Sequence, residues 1–300
     1  MHLREYPKPE KPLGWSSTSP PYPIERLVGG IAPGEGEPGY MVTARDLDVL
    51  EMLWEHSYLM LRHLPFTSRR DGVRRMQTLH RLGMVAKCEP GGYFKRQMVY
   101  SLTRFGAGVL ELKGVEVPST WNPPYERSGI RDNAIHQIEV ADFCLVVLDE
   151  VRGWGFESPE WVGSRALIRK IHPMYAGGQG VVVIPDSGIW LDFKLTLLIE
   201  HEREWHAHKF AEKMDNYRRY LAGDTWHVFG SKPPVVLLSI DDSQSKTVFD
   251  RACEAAFKTV SRVALIPSSR WRAGDLAVTV HGMKGTSTLP IKEALAHYLS

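Results

Sequence analysis

The chain has 300 residues, with 37 Lys or Arg against 35 Asp or Glu, which gives a formal net charge of +2. Hydrophobic residues make up 43% and charged residues 24%, an ordinary globular composition at a length suited to one large or two medium domains. No apolar run approaches the ~20 residues of a membrane span. Three well-separated cysteines (Cys88, Cys144 and Cys253) argue against a disulfide framework or a Cys-based zinc site. We expect a cytoplasmic protein with no membrane partner.

The two halves of the chain differ in charge. Ten basic and two acidic residues lie between Met60 and Arg104, a local net charge of +8. Eleven basic and fourteen acidic residues lie between Ser128 and Tyr220, a local net charge of −3. A polyanion partner for the basic segment is one explanation, and a solvated charged surface is the other.

The chain begins with a segment rich in proline and glycine. Residues 1–39 contain eight of the twenty prolines and include PKPEKP and PGEGEPG. Because proline lacks the backbone N–H, neither a helix nor a strand ladder is favoured there. We predict an irregular arm.

Helical signals follow the arm. Thr43 is a candidate N-cap of an amphipathic helix over Ala44–His56, with a capping-box acid three residues later. A second, short helix is predicted over Tyr58–Leu64. Ser68 is a candidate cap for a third helix, Arg69–Leu82, whose arginines fall largely off its apolar face.

A hairpin and one more helix complete the basic module. Met84–Cys88 and Gln97–Leu102 are predicted strands, and Arg104–Leu112 is a predicted helix with Thr103 as its cap. This order is typical of a winged helix-turn-helix domain, which we assign to residues 40–115. A winged-helix adaptor that binds only protein is the alternative. For DNA binding, the candidate contacts on the third helix and the hairpin tip are Arg69, Arg70, Arg74, Arg75, Tyr93, Lys95 and Arg96.

A second module follows a proline-rich linker at residues 116–128. Short apolar runs alternate with helical patterns over residues 129–300, which predicts a mixed α/β sheet covered on both faces. The fold class is therefore α/β (α+β). The predicted helices are Ile130–Val151, Ala207–Leu221 and Gln244–Val260, and the predicted strands are Gly153–Trp161, Gly180–Pro185, Trp190–Glu200, Pro234–Ile240, Val263–Ile266 and Asp275–Val280.

Carboxylates in this module suggest a divalent-cation site. Asp186 follows Pro185 at a predicted strand end, and a hairpin of thirteen intervening residues can return Glu200 to the same end of the sheet. Glu200 and Glu202 are two apart on a strand and face the same side. With Glu139 on the preceding helix, Asp186 and Glu200 are candidate ligands for Mg²⁺ or Mn²⁺.

The arrangement looks like the restriction-endonuclease-like fold with its PD-(D/E)xK site. That motif has lysine where this sequence has Glu202, so a substitute is needed, and Lys213, Lys209 and Lys194 are the candidates. The predicted catalytic set is Asp186, Glu200, Glu202 and Lys213. The alternative is that these carboxylates lie in a turn or in strand-end salt bridges.

Read together, the two modules resemble the replication-relaxation family of plasmids, phages and integrative elements. The resemblance spans about Thr43–Ser261. It implies a winged helix joined to a nuclease-like domain, double-stranded DNA as partner, and a role in replication, mobilisation or regulation, with a homodimer or other replication or mobilisation proteins as further partners. The residues that carry it are Thr43–Trp54, Met76–Met84, Val99–Ala107, His136, Pro185, Asp186, Ile199–Glu204, Lys213 and Tyr217.

Three functions remain open. The first is a double-stranded DNA-binding protein with a non-catalytic nuclease-like domain. The second is a Mg²⁺- or Mn²⁺-dependent DNA endonuclease targeted by its winged helix. The third is the winged-helix adaptor without nucleic acid.

Overall fold

A computed structural model divides the chain into two compact units, Met1–Ile138 and Glu139–Ser300. The predicted arm and the hairpin tip lie outside the described residues. A mixed α+β class, as predicted, is confirmed. The residues that the structure describes are 42–89, 97–118, 121–126, 130–156, 158–171, 183–192, 195–223, 226, 232–243, 245–282 and 285–299.

Three helices of the first unit begin at the predicted capping residues. The side chains of Thr43, Ser68 and Thr103 each accept a backbone N–H from the residue three positions on, at 3.0–3.3 Å. These bonds satisfy donors that a helix start otherwise leaves unpaired. The helices are α1 (Ala44–His56), α2 (Arg69–Arg81) and α3 (Arg104–Leu112).

A three-stranded antiparallel sheet accompanies these helices. Its strands are β1 (Leu59–Met60), β2 (Val85–Cys88) and β3 (Val99–Leu102), in the order β1-β3-β2. The helix predicted over Tyr58–Leu64 is wrong, because this segment holds β1 and a single 3-10 turn. Pairing of β1 with β3 buries both of its side chains completely or nearly so, and that burial outweighs local helical spacing.

Gly106 lets α3 approach the backbone of the residue before β2 closely. A Cβ at this position would lie 2.2 Å from the backbone oxygen of Met84. The neighbouring Thr103 hydroxyl donates to the carbonyl of Gly83 at 2.6 Å and to that of Met84 at 2.9 Å. The first turn of α3 therefore packs directly against main chain.

Gly106→Ala should destabilise the protein by about 2 kcal/mol, because the added methyl meets a backbone carbonyl that cannot rotate away. Urea denaturation followed by circular dichroism measures the change. Gly282→Ala is the control, since a Cβ there meets nothing within 4 Å. Equal unfolding midpoints for the two variants would contradict the close approach.

A seven-stranded mixed sheet organises the second unit, in the order β10-β9-β8-β7-β6-β5-β4. The first three strands along the chain form an antiparallel meander, β6 to β8 run parallel, and β9 and β10 pair antiparallel. The strands are β4 (Pro159–Gly163), β5 (Ser187–Leu191), β6 (Leu195–Glu202), β7 (Val235–Ile240), β8 (Val263–Pro267), β9 (Ala277–Gly282) and β10 (Gly285–Pro290).

Helices cover both faces of this sheet, as predicted. Side chains of α4 and α9 pack with Ile199 and its neighbours on one face, and side chains of α6 and α7 pack with Leu198 on the other. The further helices are α4 (Ile130–Arg152), α5 (Ser164–Ile171), α6 (Ala207–Ala222), α7 (Lys246–Thr259), α8 (Ser268–Arg272) and α9 (Ile291–Leu299).

Several predicted strand limits differ from the observed ones. The strand predicted from Gly153 begins only at Pro159, because Gly155 has φ 85° in the turn that ends α4. Within the predicted strand at residues 180–185, only 183–185 are described, and they are not strand. Trp190 belongs to β5, since Asp192 has φ 51° and turns the chain before β6.

Candidate functional site

Asp186 and Glu200 lie at the same end of the sheet. Asp186 comes directly before β5, not at the end of a strand as predicted. Because β5 and β6 are antiparallel, with Ser187 opposite Ile199, the residue before β5 lies across from Glu200. Alternation along β6 puts Glu200 and Glu202 on the same face as Leu198, the face that α6 covers.

Helix α6 brings a lysine and a tyrosine to these carboxylates. The Lys213 ammonium donates to Glu200 Oε2 at 2.9 Å and also contacts Glu202 Oε1. The Tyr217 hydroxyl donates to the other oxygen, Glu200 Oε1. Lys213 and Tyr217 are four residues apart, so the helix presents both side chains on one face. Of the three candidate lysines, Lys209 is exposed and Lys194 lies outside the described residues.

Burial dominates the electrostatics of Glu200. The residue is 1% exposed, and burial raises the pKa of its carboxyl to about 8. The nearby Asp186 carboxylate acts in the same direction, while Lys213 and the Tyr217 hydroxyl oppose it. A proton on Glu200 and an ammonium on Lys213 therefore share a site with two further carboxylates.

The Lys213 ammonium stays charged in this environment. Burial alone would lower its pKa, but the charges of Glu200 and Glu202 outweigh that effect and raise the pKa. Burial, followed by the Glu200 charge, raises the pKa of the Tyr217 hydroxyl. Tyr217 therefore keeps its proton, donates a hydrogen bond to Glu200 and is not a nucleophile near neutral pH.

Asp186 is fixed from the backbone of β6. Its Oδ2 atom accepts the N–H of His201 at 2.9 Å. This bond holds the carboxyl group beside the residue that follows Glu200. We call the set Asp186, Glu200, Glu202, Lys213 and Tyr217 the acidic cluster.

Glu139 does not join the acidic cluster, although we predicted it as a metal ligand with Asp186 and Glu200. It lies on the α4 face of the sheet, where it forms ion pairs with Arg203 at 2.8 Å and Arg272 at 2.9 Å. The sheet itself separates it from Glu200, because residues 200 and 201 of β6 point to opposite faces. Glu139 is therefore corrected to a partner of arginines.

His201 centres a second polar network on that opposite face. Its Nδ1 atom lies 2.9 Å from Ser239 Oγ, which also accepts the indole N–H of Trp271 at 2.8 Å, and its Nε2 atom lies 3.4 Å from Glu139. The order Ser-His-Glu resembles a hydrolytic triad, but Ser239 and His201 are 0% and 1% exposed. No substrate can reach this serine, and the network is structural.

The predicted DNA-contacting arginines fall into two groups. Arg69, Arg70 and Arg74 are exposed on α2. Arg75 instead makes a bidentate ion pair with Asp46, which is 0% exposed, and donates to Thr43 Oγ1 at 2.7 Å. The sequence predicts Arg75 as a DNA contact, but its guanidinium is held by Asp46 and Thr43 at the start of α1. Tyr93, Lys95 and Arg96 lie outside the described residues.

Comparison with known proteins identifies one family. Residues 50–234, more than half of the chain, match the family model described as Replication-relaxation. This chain belongs to the replication-relaxation family. The resemblance seen in the sequence is confirmed. Membership of this family supports a replication-related role. No curated protein and no solved structure matches the chain.

The family match contains the acidic cluster and the exposed face of α2. Sequence reasoning found most of this cluster in the replication-relaxation chain but did not assign a role to Tyr217. The sequence signal for Tyr217 was its position four residues after Lys213 on the same predicted helix. Neither the His201 network nor the partner of Arg75 had a local signal, because each depends on contacts distant in sequence.

Among the helices that the structure describes, none is long and apolar enough to cross a membrane.

Arg75→Ala should cost about 3 kcal/mol of stability, because it leaves the Asp46 carboxylate buried without its main partner. Arg74→Ala should change stability by less than about 0.5 kcal/mol, since that side chain is 82% exposed. Urea titrations of both variants measure the difference. Similar losses for both would mean that the Asp46 pair is not structural.

Stability should also depend on pH through Glu200. The native state keeps a proton on this group up to about pH 8, whereas the unfolded group loses it near its ordinary pKa of 4.5. The native state thus binds more protons in that window, and stability falls as pH rises through it. The Lys213 contribution is constant there, because its pKa lies well above the window in both states.

Glu200→Gln should flatten this fall in stability. The measurement is the urea midpoint at pH 5.5, 7 and 8.5 in buffer with EDTA. Glu254→Gln is the control, because Glu254 forms an exposed pair with Lys258 and should retain the wild-type slope. Parallel pH curves for wild type and Glu200→Gln would refute the assignment.

Proposed function

We propose that this protein binds double-stranded DNA and cleaves one of its strands in a reaction that requires Mg²⁺ or Mn²⁺. The observation that carries the proposal is the contact of Lys213 with both Glu200 and Glu202, beside Asp186. The PD-(D/E)xK motif has a lysine at the position that Glu202 occupies in this chain. Lys213 of α6 supplies an ammonium at the same carboxylates.

The energetics of the acidic cluster favour a functional over a structural origin. Burying a carboxylate costs several kcal/mol, and an apolar side chain of similar volume would stabilise the sheet end at least as well. Even with a proton on Glu200, the carboxylates of Asp186 and Glu202 outnumber the Lys213 ammonium, so the cluster stays acidic. Strongly perturbed groups of this kind concentrate at functional sites.

The donor set suits a hard divalent cation. Mg²⁺ is commonly held by one or two carboxylates, with water and substrate phosphate completing its shell. Asp186 and Glu200 meet that minimum on one face of the sheet. Across the described ranges, no three His, Cys, Asp or Glu side chains are grouped to hold an ion by themselves. The fit is thus to a cation shared with phosphate rather than to a closed protein site.

Each residue of the acidic cluster then has a role. Asp186 and Glu200 would hold the cation, which when bound polarises the phosphate and activates water. Lys213 carries a fixed positive charge at the place where negative charge develops during attack on phosphorus. Glu202 holds the ammonium, and the Tyr217 hydroxyl fixes the orientation of Glu200. Tyr217 is accordingly a positioning residue.

The first unit supports DNA binding. Helices α1 and α2 precede the β2 and β3 strands and α3, which keeps the helix pair and the hairpin of the expected winged helix without its short middle helix. Exposed arginines lie on α2. With membership of the replication-relaxation family, this favours a role in replication, mobilisation or regulation of a plasmid, phage or integrative element. Other replication or mobilisation proteins are the expected partners.

Supercoiled plasmid provides the test. Wild-type protein should nick it with Mn²⁺ or Mg²⁺ and not with EDTA. Asp186→Asn, Glu200→Gln and Lys213→Met should each lower the nicking rate at least about 100-fold, because each removes a ligand or the fixed positive charge. Relaxed circles separated on agarose measure the rate.

A matched pair of controls comes from the same unit. Glu254→Gln and Lys258→Met alter an exposed carboxylate and ammonium that also form an ion pair, and both should nick like wild type. Salt-dependent DNA binding without nicking would replace the proposal by the non-catalytic one. Absence of DNA binding would favour the adaptor.

A further inference from the structure

One face of α2 is buried and the opposite face forms an exposed stripe. Gly72, Met76, Leu79 and His80 are the buried residues of the helix. The exposed positions recur at intervals of three and four residues, which places them along one side. We call these residues the α2 stripe: Arg70, Val73, Arg74, Gln77 and Arg81.

The α2 stripe combines arginines with one uncharged polar side chain and one apolar side chain. Val73 is 36% exposed and is one of three large apolar side chains that are exposed among the described residues. The Gln77 side chain is exposed in the middle of the stripe and makes no hydrogen bond to the rest of the described chain. Phosphate contacts carry no sequence information, so Gln77 and Val73 are the uncharged stripe residues that can distinguish one base from another.

Base edges in the DNA major groove match this composition. A glutamine amide can bond the N6 and N7 atoms of adenine in a bidentate manner, and a valine methyl group can contact the methyl group of thymine. Arginines flank Gln77 and Val73 and can bond phosphates or guanine. The stripe from Arg70 to Arg81 is ~16 Å long at 1.5 Å per residue, and a helix of ordinary diameter fits the groove.

The helix that carries the stripe is rigidly held. A Cβ on Gly72 would lie 2.7 Å from the Phe66 ring and 2.8 Å from Leu61, so the backbone packs directly on these side chains. The buried ion pair of Arg75 with Asp46 joins α2 to α1. Discrimination between bases requires such a fixed support, because hydrogen-bond strength falls steeply with misalignment.

We infer that the α2 stripe reads DNA sequence in the major groove, with Gln77 and Val73 as the specificity-determining residues and Arg70 and Arg74 as phosphate contacts. The inference rests on the proposed DNA binding and does not require cleavage. It makes this protein a DNA binder that selects its site by base sequence.

Selection from a library of duplexes with 20 random base pairs tests the inference, using the full chain in EDTA. Wild type should enrich one sequence motif. The selected duplex and a scrambled duplex then compete for wild type and variants over a range of salt concentrations. Gln77→Ala and Val73→Ala should each lower the preference for the selected duplex, for Gln77→Ala by roughly 5- to 150-fold, with an unchanged salt slope.

The double variant Arg70→Ala/Arg74→Ala should behave in the opposite way. It should weaken binding to both duplexes equally and reduce the salt slope by about 2, one for each lost phosphate contact. Glu51→Ala on α1 and Lys113→Ala after α3 are exposed controls outside the stripe, and both should keep the wild-type preference. Melting curves show that each variant is folded.

The possible failures differ from one another. Tight, salt-dependent binding of wild type to all duplexes alike would overturn sequence reading while DNA binding stands. Preference that survives both Gln77→Ala and Val73→Ala would overturn the assignment to the stripe. Absence of binding to any duplex would refute the proposed function itself and this inference with it.

Discussion

Alternation of side chains along β6 decides where the polar groups of the second unit lie. Three consecutive residues, Glu200, His201 and Glu202, are ionisable, and a strand must send the middle one to the opposite face from its neighbours. On one face the carboxylates meet Lys213, and on the other the imidazole meets Ser239. A shift of register by one residue would exchange these environments and leave both sets of groups without their partners.

The first unit depends on a comparable buried contact. Asp46 caps α1 and at the same time binds Arg75 of α2, so one carboxylate terminates a helix and joins two of them. The basic character of α2 is therefore not uniform. One arginine stabilises the unit, while those on the α2 stripe are exposed. The net charge of the segment does not reveal this division.

Local signals predicted much of the fold. Capping residues located the starts of α1, α2 and α3, and apolar runs located β7 and β8, because these features depend on neighbours in sequence. The helix predicted over Tyr58–Leu64 was wrong, because pairing with a distant strand decided that segment. The strand predicted to start at Trp190 was also wrong, because the turn at Asp192 separates β5 from β6. For the site, hairpin geometry correctly returned Asp186 to Glu200. The position of Glu139 depended on which face α4 covers, and spacing along the chain does not contain that information.

The peptide group of His201 connects the two faces of the sheet. Its N–H is held by Asp186, while its side chain is held by Ser239 and packs at 6.4 Å between ring centres against Trp271. The contacts of the side chain thus fix the strand residue whose amide orients Asp186. Substitutions at Ser239 or Trp271 are expected to act on Asp186 through His201, from the opposite face of the sheet and without touching a side chain of the acidic cluster.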